Sequence, residues 1–256
     1  MEFFVHKDSI VRRIWGKGDT ILFVFAGASA EFALNKAVDW LYYTGKLPAD
    51  PLGRLFSTVM YARQIVFSDK DSALQTIDKI NSIHGALEKG RGYPIPAFAY
   101  RDVLYMLIHY SLASYELLER KMTQEEKEDL FDVFKRMGER MQIPDLPKNF
   151  EEWKAHHAEH LQNDMENSDF TKDLYKQYRK HLGAFRYWLL WESQKLVVPE
   201  RVKELLEMRR FSWARPIVFL YKIARFLKLD GILKAMVMPA KYRDEIKSLD
   251  KMEAIT

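Results

Sequence analysis

His84 is the histidine whose surroundings most favour a chemical role, because it ends an apolar stripe. Ala73, Ile77, Ile80 and His84 are spaced three or four residues apart, so on a helix they share one face. A loop rich in Gly, Pro and aromatic residues follows, with the sequence EKGRGYPIPAFAY. Such an imidazole can bind a metal, or it can form a hydrogen bond with a backbone carbonyl inside the core. The spacing alone favours the core histidine and leaves the metal ligand open.

Arg54 and Thr58 are four residues apart and therefore share one face of a predicted helix. A guanidinium beside a hydroxyl can orient an anion or a bound oxygen species. By itself, however, the pair favours an exposed arginine and a threonine bonded to its own helix.

The other histidines carry weaker patterns. His109 lies in the most apolar predicted helix, where a structural hydrogen bond is the favoured role. His156 and His160 have the spacing that can hold a metal between adjacent turns of a helix. Because His157 directly follows His156, the zinc-protease pattern H-E-x-x-H is absent, and the polar surroundings favour a solvated helix face.

The elements that must position these residues are predicted to be helices, so the fold class is all-α. The chain has 256 residues, of which 48% are hydrophobic and only 11 are glycine, and alternating strand patterns are scarce. We predict an N-terminal arm over 1–19, a helical core over 20–195 and a C-terminal helical extension over 196–256. The helices are predicted at about 20–36, 51–67, 72–84, 101–120, 125–141, from 150, 170–195, from 199 and 216–227.

Several classes of protein are excluded by what the sequence lacks. Without cysteine there can be no disulfide, thiolate metal site or cysteine nucleophile. No phosphate-binding loop or nucleophile elbow is present. A net charge of +4 gives no argument for nucleic acid as a partner. The N-terminal sequence lacks the features of a signal peptide, and no apolar run is long enough to span a bilayer, so we expect a cytoplasmic location.

One basic stretch, RRFSWARPIVFLYKIARFLKLDGILKAMV from Arg209, leaves two interpretations open. Its interleaved aromatic and cationic residues are typical of a helix that lies on a membrane surface. A packed C-terminal helix with extended cationic side chains fits the same pattern and is slightly favoured.

The order of several segments is more specific than any one of them. FVFAGASAEFALN, DPLGRLFSTVMYARQIVF, INSIHGAL, YRDVLYMLIHYSLASYELL and GERMQIPDLPKNFEEW follow one another along the chain. This series resembles the family of rubber-oxygenase (latex-clearing protein) and ER-bound oxygenase MpaB-like catalytic domains. The resemblance is good over about residues 20 to 155 and looser in the C-terminal part.

The resemblance implies a globin-like helical fold that holds haem b. It assigns His84 as the iron ligand, Arg54 and Thr58 to the distal side of the haem, and His109 to a helix that contacts the cofactor. Latex-clearing members have a lysine before the threonine, whereas this chain has Ser57, so cleavage of polyisoprene itself is not implied.

The expected function is that of a haem-b-dependent oxygenase or oxidoreductase that acts on a small apolar substrate with dioxygen. The guanidinium groups of Arg54, Arg63, Arg91 and Arg101 are candidates to pair with the two haem propionates. Two alternatives stay open: a non-catalytic protein that binds haem or a lipophile, and a peripheral membrane protein that docks through the C-terminal basic helices.

Overall fold

The computed structural model of the chain describes residues 2–43, 45 and 49–226. Its helices, in chain order, are α1 (Ile10–Trp15), α2 (Gly18–Leu34), α3 (Asp39–Tyr43), α4 (Pro51–Phe67), α5 (Lys70–Arg91), α6 (Ala97–Leu118), α7 (Gln124–Arg140), α8 (Phe150–Asn163), α9 (Asp169–Val197), α10 (Glu200–Leu205) and α11 (Ala214–Phe226). In these ranges the only β pairing is two isolated bridges. The all-α prediction is confirmed, while the globin-like arrangement stays a prediction.

Helix α2 lies at the centre of the fold and packs most extensively against α6 and α9. Gly27 permits the close approach of α6, because a Cβ atom at this position would overlap the ring of Tyr110. The close packing of α2 against α6 therefore depends on the missing side chain of Gly27.

Local end signals explain several helix boundaries. Thr123 and Glu126 form a capping box at the start of α7, and Asn149 caps α8 through the backbone N–H of Glu152. Helix α9 contains a kink at Gly183, whose φ of 74° is outside the helical region. The residues after Gly183 therefore form a second helical segment.

The prediction for α5 was wrong at both ends. Asp69 is the N-cap, so the helix begins at Lys70 rather than at residue 72, and the carboxylate of Asp69 accepts from the backbone N–H of Ser72. The helix continues past the predicted end at His84 as far as Arg91. It ends at Gly92, which has a φ of 84° and serves as a left-handed C-cap.

Both ends of the described chain contribute to the core. In the predicted N-terminal arm, Val11, Ile14 and Trp15 of α1 are fully buried. In the C-terminal extension, Val197 and Val202 belong to the same hydrophobic cluster. The predicted boundaries at residues 19 and 195 stay predictions, and residues 227–256 of the extension lie outside the described part.

Within residues 2–43, 45 and 49–226, no helix is both long enough and apolar enough to traverse a bilayer.

Candidate functional site

His84 lies half-buried on α5, at the end of the apolar stripe that the sequence predicted. Ala73 and Ile77 of this stripe are fully buried. The imidazole meets the ring of Tyr100 edge to face, with 5.2 Å between the ring centroids. Among the residues that the structure describes, Nδ1 of His84 has no hydrogen-bond partner. Nδ1 therefore does not form the hydrogen bond to a backbone carbonyl that is expected of a core histidine.

The surroundings of His84 keep its imidazole neutral. Burial lowers its pKa, and the positive charge of Arg54 lowers it further against the opposing effect of Glu88. Glu88 itself accepts hydrogen bonds from the backbone N–H of Ile95 at 2.8 Å and from the hydroxyl of Tyr100 at 3.1 Å. A neutral imidazole has the free lone pair that metal coordination requires.

Arg54 and Thr58 face each other on α4, as their spacing predicted. Nη1 of Arg54 donates to Oγ1 of Thr58 at 2.7 Å, and the Thr58 hydroxyl donates to the backbone carbonyl of Arg54 at 3.3 Å. Burial lowers the pKa of Arg54, and no carboxylate in the described part of the chain forms an ion pair with it. The guanidinium is thus held in place by a hydroxyl while its charge stays available to an anion.

The structure brings these three residues into one neighbourhood, because α4 packs against α5 and the charge of Arg54 acts on His84. Together they offer a neutral imidazole, a cation without a carboxylate partner and a hydroxyl. We call Arg54, Thr58 and His84 the His84 site. An unpartnered, buried ring nitrogen beside a free cation fits a haem, which needs one axial donor and partners for its propionates.

Other guanidinium groups proposed for the propionates already have partners. Nη2 of Arg91 bonds to Oδ2 of Asp39 at 2.6 Å, and Nη1 of Arg101 lies 3.5 Å from Oδ2 of Asp145. Arg63 is buried, with its guanidinium 5.3 Å from the centre of the Phe67 ring. Arg91 or Arg101 could hold a propionate only if the propionate replaced Asp39 or Asp145 as its partner.

A second group of ionisable side chains lies where α2, α6 and α8 meet. We call it the buried histidine cluster, and its members are Glu31, Asp102, His109, His157 and His160. Sequence reasoning missed Glu31 and Asp102. The available signal was an acidic residue within each of two mostly apolar helices, each of which contains one further acidic residue nearer an end or on another face.

His160 is held between two carboxylates. Nε2 lies 2.7 Å from Oδ1 of Asp102, and Nδ1 lies 2.7 Å from Oδ2 of Asp164. Burial opposes the positive charge of His160, but the hydrogen bonds and charges of the two carboxylates raise its pKa to about 9. Burial raises the pKa of Asp102 to about 6 against the effect of His160. At neutral pH the two therefore form an ion pair, which Asn35 completes by donating to Asp102 at 2.6 Å.

Glu31 is fully buried and is the centre of the other half of the cluster. The hydroxyl of Tyr110 donates to Oε2 of Glu31 at 2.6 Å, and Nε2 of His157 lies 3.5 Å from Oε1. Burial by itself would raise the pKa of Glu31, but the hydrogen bonds and charges of its neighbours, His157 first, lower it. The indole of Trp153 stacks on His157 with 5.3 Å between centroids. Glu31 is therefore kept ionised by side chains from α6 and α8.

His109 belongs to this cluster by its contacts. Nε2 lies 3.2 Å from the carbonyl oxygen of Val197, and its ring centroid is 5.0 Å from that of His157. Burial, followed by the charge of His157, lowers its pKa to about 4. These contacts agree with the structural hydrogen bond that the sequence favoured. The assignment of His109 as a cofactor contact stays a prediction.

The solvated helix face predicted around residues 156–160 was wrong. His157 and His160 are each only 5% exposed, because buried carboxylates of other helices compensate their polarity. The alternative of a metal held by His156 and His160 finds no support either. In the described ranges, no group of three or more side chains of metal-binding type could hold an ion.

Comparison with known proteins identifies the family. The family described as ER-bound oxygenase mpaB/B'/Rubber oxygenase, catalytic domain, matches residues 12–229. No curated protein and no solved structure matches the chain. The match spans most of the sequence, so the chain belongs to this family of oxygenase catalytic domains, as its segment order indicated.

Proposed function

We propose that this member of the oxygenase family uses haem b, and that His84 holds the haem iron. The observation that carries the proposal is the state of His84. Its imidazole is half-buried and neutral, and Nδ1 has no partner among the described residues. A buried ring nitrogen without a hydrogen bond is costly unless a ligand satisfies the ring.

Each residue of the His84 site has a defined role in this proposal. His84 supplies the axial nitrogen. Arg54 supplies a fixed positive charge for a haem propionate or for negative charge that develops during the reaction. Thr58 holds the guanidinium through the 2.7 Å hydrogen bond. When bound, the haem supplies the dioxygen chemistry, and the protein contributes orientation and exclusion of water.

The proposed substrate is a small apolar molecule. The family description includes rubber oxygenase, and rubber is a hydrocarbon polymer. Because Ser57 occupies the position of the lysine found in latex-clearing members, we do not extend the proposal to the polymer itself. An alkene of moderate size agrees both with the family description and with Ser57 in place of the lysine.

The haem assignment is tested by a visible spectrum. The full chain is expressed with a haem precursor, purified and compared with the variants His84→Ala and His181→Ala. His181 is an exposed histidine outside the site and serves as the matched control. We expect a Soret band in the wild type and in His181→Ala, and its loss in His84→Ala. Absence of the band from the wild type, or an unchanged band in His84→Ala, contradicts the assignment.

Turnover is tested separately from haem binding. Reduced holoprotein is mixed with dioxygen and an apolar alkene, and the loss of alkene is followed by gas chromatography. We expect consumption that depends on His84 and falls in Arg54→Ala. Haem that binds with normal spectra but consumes no alkene across a panel of chain lengths would contradict the oxygenase proposal and favour a haem carrier.

A further inference from the structure

Helix α11 has two apolar faces, of which the described part of the protein covers only one. Ala214 and Val218 lie inward and are buried, and the hydroxyl of Tyr221 donates to Oδ2 of Asp19 at 2.8 Å. Arg225 lies on the same inward side, where it pairs with Asp19 at 3.1 Å and Glu119 at 2.8 Å. These contacts fix which side of α11 faces solvent.

The outward side of α11 and the residues just before it carry large, mostly exposed apolar side chains. Phe219 is 65% exposed and Leu220 63%, and Phe211 and Trp213, just before the helix, are 58% and 63% exposed. Single exposed apolar residues are common on soluble proteins, but several in one short segment indicate an interaction surface.

A stacked aromatic pair on α9 extends this surface. The rings of Phe185 and Trp188 lie 6.3 Å apart at 25° and are both exposed. They share a helix face with Glu192, whose carboxylate accepts from the backbone N–H of Trp213 at 2.7 Å. The pair therefore lies on the side of α9 that carries Trp213. We call the combined surface the aromatic face, and its residues are Phe185, Trp188, Phe211, Trp213, Phe219 and Leu220.

The charges that residues 209–226 bring to the aromatic face have one sign. Residues 209–226 contain no aspartate or glutamate. Arg209, Arg210, Arg215 and Lys222 form no ion pair with any residue in the described ranges, unlike Arg225 on the inward side. On the helix, Arg215 and Lys222 fall between the inward and outward faces. Cations in this position can extend towards phosphate groups while the aromatic rings enter an apolar layer.

We propose that the aromatic face docks the protein on the surface of an anionic lipid bilayer. Tryptophan and phenylalanine partition into the boundary between headgroups and acyl chains, and basic residues at the edge of the face pair with anionic headgroups. Lipid suits this surface better than a protein partner, because the cations of residues 209–222 flank the apolar side chains without ion pairs in the described part of the chain, and the acid that contacts this surface, Glu192, is buried and paired with Lys195. Docking would also bring the catalytic domain to a source of apolar molecules.

The test uses flotation of the full chain with vesicles of phosphatidylcholine, with or without phosphatidylglycerol. We expect binding to the anionic vesicles that weakens as salt is added. Phe219→Ser should weaken binding about tenfold, and Arg209→Gln with Arg210→Gln should also weaken it about tenfold. The matched controls are Phe170→Ser, an exposed aromatic outside the face, and Lys89→Gln with Lys148→Gln, which removes the same charge elsewhere.

Three results would overturn the docking proposal. The first is no binding to anionic vesicles. The second is equal binding by the face variants and their controls. The third is sedimentation that shows the wild type as a dimer and Phe219→Ser as a monomer without any vesicle binding, which would assign the face to a second copy of the chain. None of these results bears on the Soret band, so the haem proposal is judged independently.

Discussion

The His84 site and the buried histidine cluster place the same side chain in opposite situations. In the cluster, both ring nitrogens of His160 contact carboxylates. At the His84 site, Nδ1 of His84 has no partner within the described residues, and the charge with the largest effect on its pKa is that of the cation Arg54. The first arrangement stabilises a charged imidazole and joins helices. The second leaves a neutral imidazole available to a ligand. The bonding of a histidine, more than its burial, therefore separates a structural role from a binding role.

The largest expected effect is on stability. His160→Gln should lower the free energy of unfolding of the apo protein by about 3–5 kcal/mol, because it leaves the buried carboxylate of Asp102 without its charged partner. His84→Gln should change it by less than about 1 kcal/mol, because no hydrogen bond of Nδ1 is lost. Urea unfolding measures both.

The two variants are matched, because each replaces one histidine on a helix with a neutral polar side chain. If His84→Gln destabilises the protein as much as His160→Gln does, then His84 has a structural role and the contrast between the two regions fails. Circular dichroism before unfolding checks that both variants keep their helices.

A smaller effect concerns pH. The pKa of His160 is about 9 in the folded protein and 6.5 when unperturbed. Its stabilising contribution is complete below pH 6.5 and is lost as the pH rises through 9. At ~1.4 kcal/mol per pKa unit, the loss is about 3 kcal/mol. Burial raises the pKa of Asp102 to about 6, so Asp102 contributes little over this interval.

The measurement is the free energy of unfolding of wild type and His160→Gln at several values between pH 6.5 and 9. We expect the wild type to lose stability more steeply, so that the two curves converge at high pH. Parallel curves would mean that His160 is not charged in the folded protein.

The smallest expected effect is a shift in the pKa of His84. Arg54→Met removes a positive charge and should raise this pKa. The value should stay below 6.5, because burial is the larger cause of its depression. Nuclear magnetic resonance of the apo protein follows the imidazole signal. Lys79→Met removes an exposed cation from the same helix and should leave the signal unchanged. An equal response to both variants would show that Arg54 does not act on His84 in particular.

The His84 site was accessible from sequence because its signals are local. The stripe from Ala73 to His84 and the spacing of Arg54 and Thr58 follow from the period of one helix. The end of α5, in contrast, could not be predicted from the sequence. Gly85, Gly90 and Gly92 can each follow a helix, and only the backbone conformation shows that the helix ends at Gly92.

The buried histidine cluster was not accessible because its members come from helices far apart in the chain. Glu31 and His157 are separated by 126 residues, and Asp102 and His160 by 58. A polar histidine segment with unknown partners is indistinguishable from a solvated face, since burial depends on the carboxylates that meet it. Family resemblance supplied the proposed role of His84 as a ligand, which spacing alone did not favour.

The contact between Gly27 and Tyr110 links the backbone of α2 to the ionisation of Glu31 on the same helix. Gly27 and Glu31 are one turn apart on α2, and the Tyr110 side chain spans that turn, with its ring on the glycine and its hydroxyl on the carboxylate. A methyl group at position 27 would displace the Tyr110 ring and would therefore disturb the hydrogen bond that the Tyr110 hydroxyl donates to Glu31. Mutational tolerance at this glycine would thus report on the surroundings of the Glu31 carboxylate.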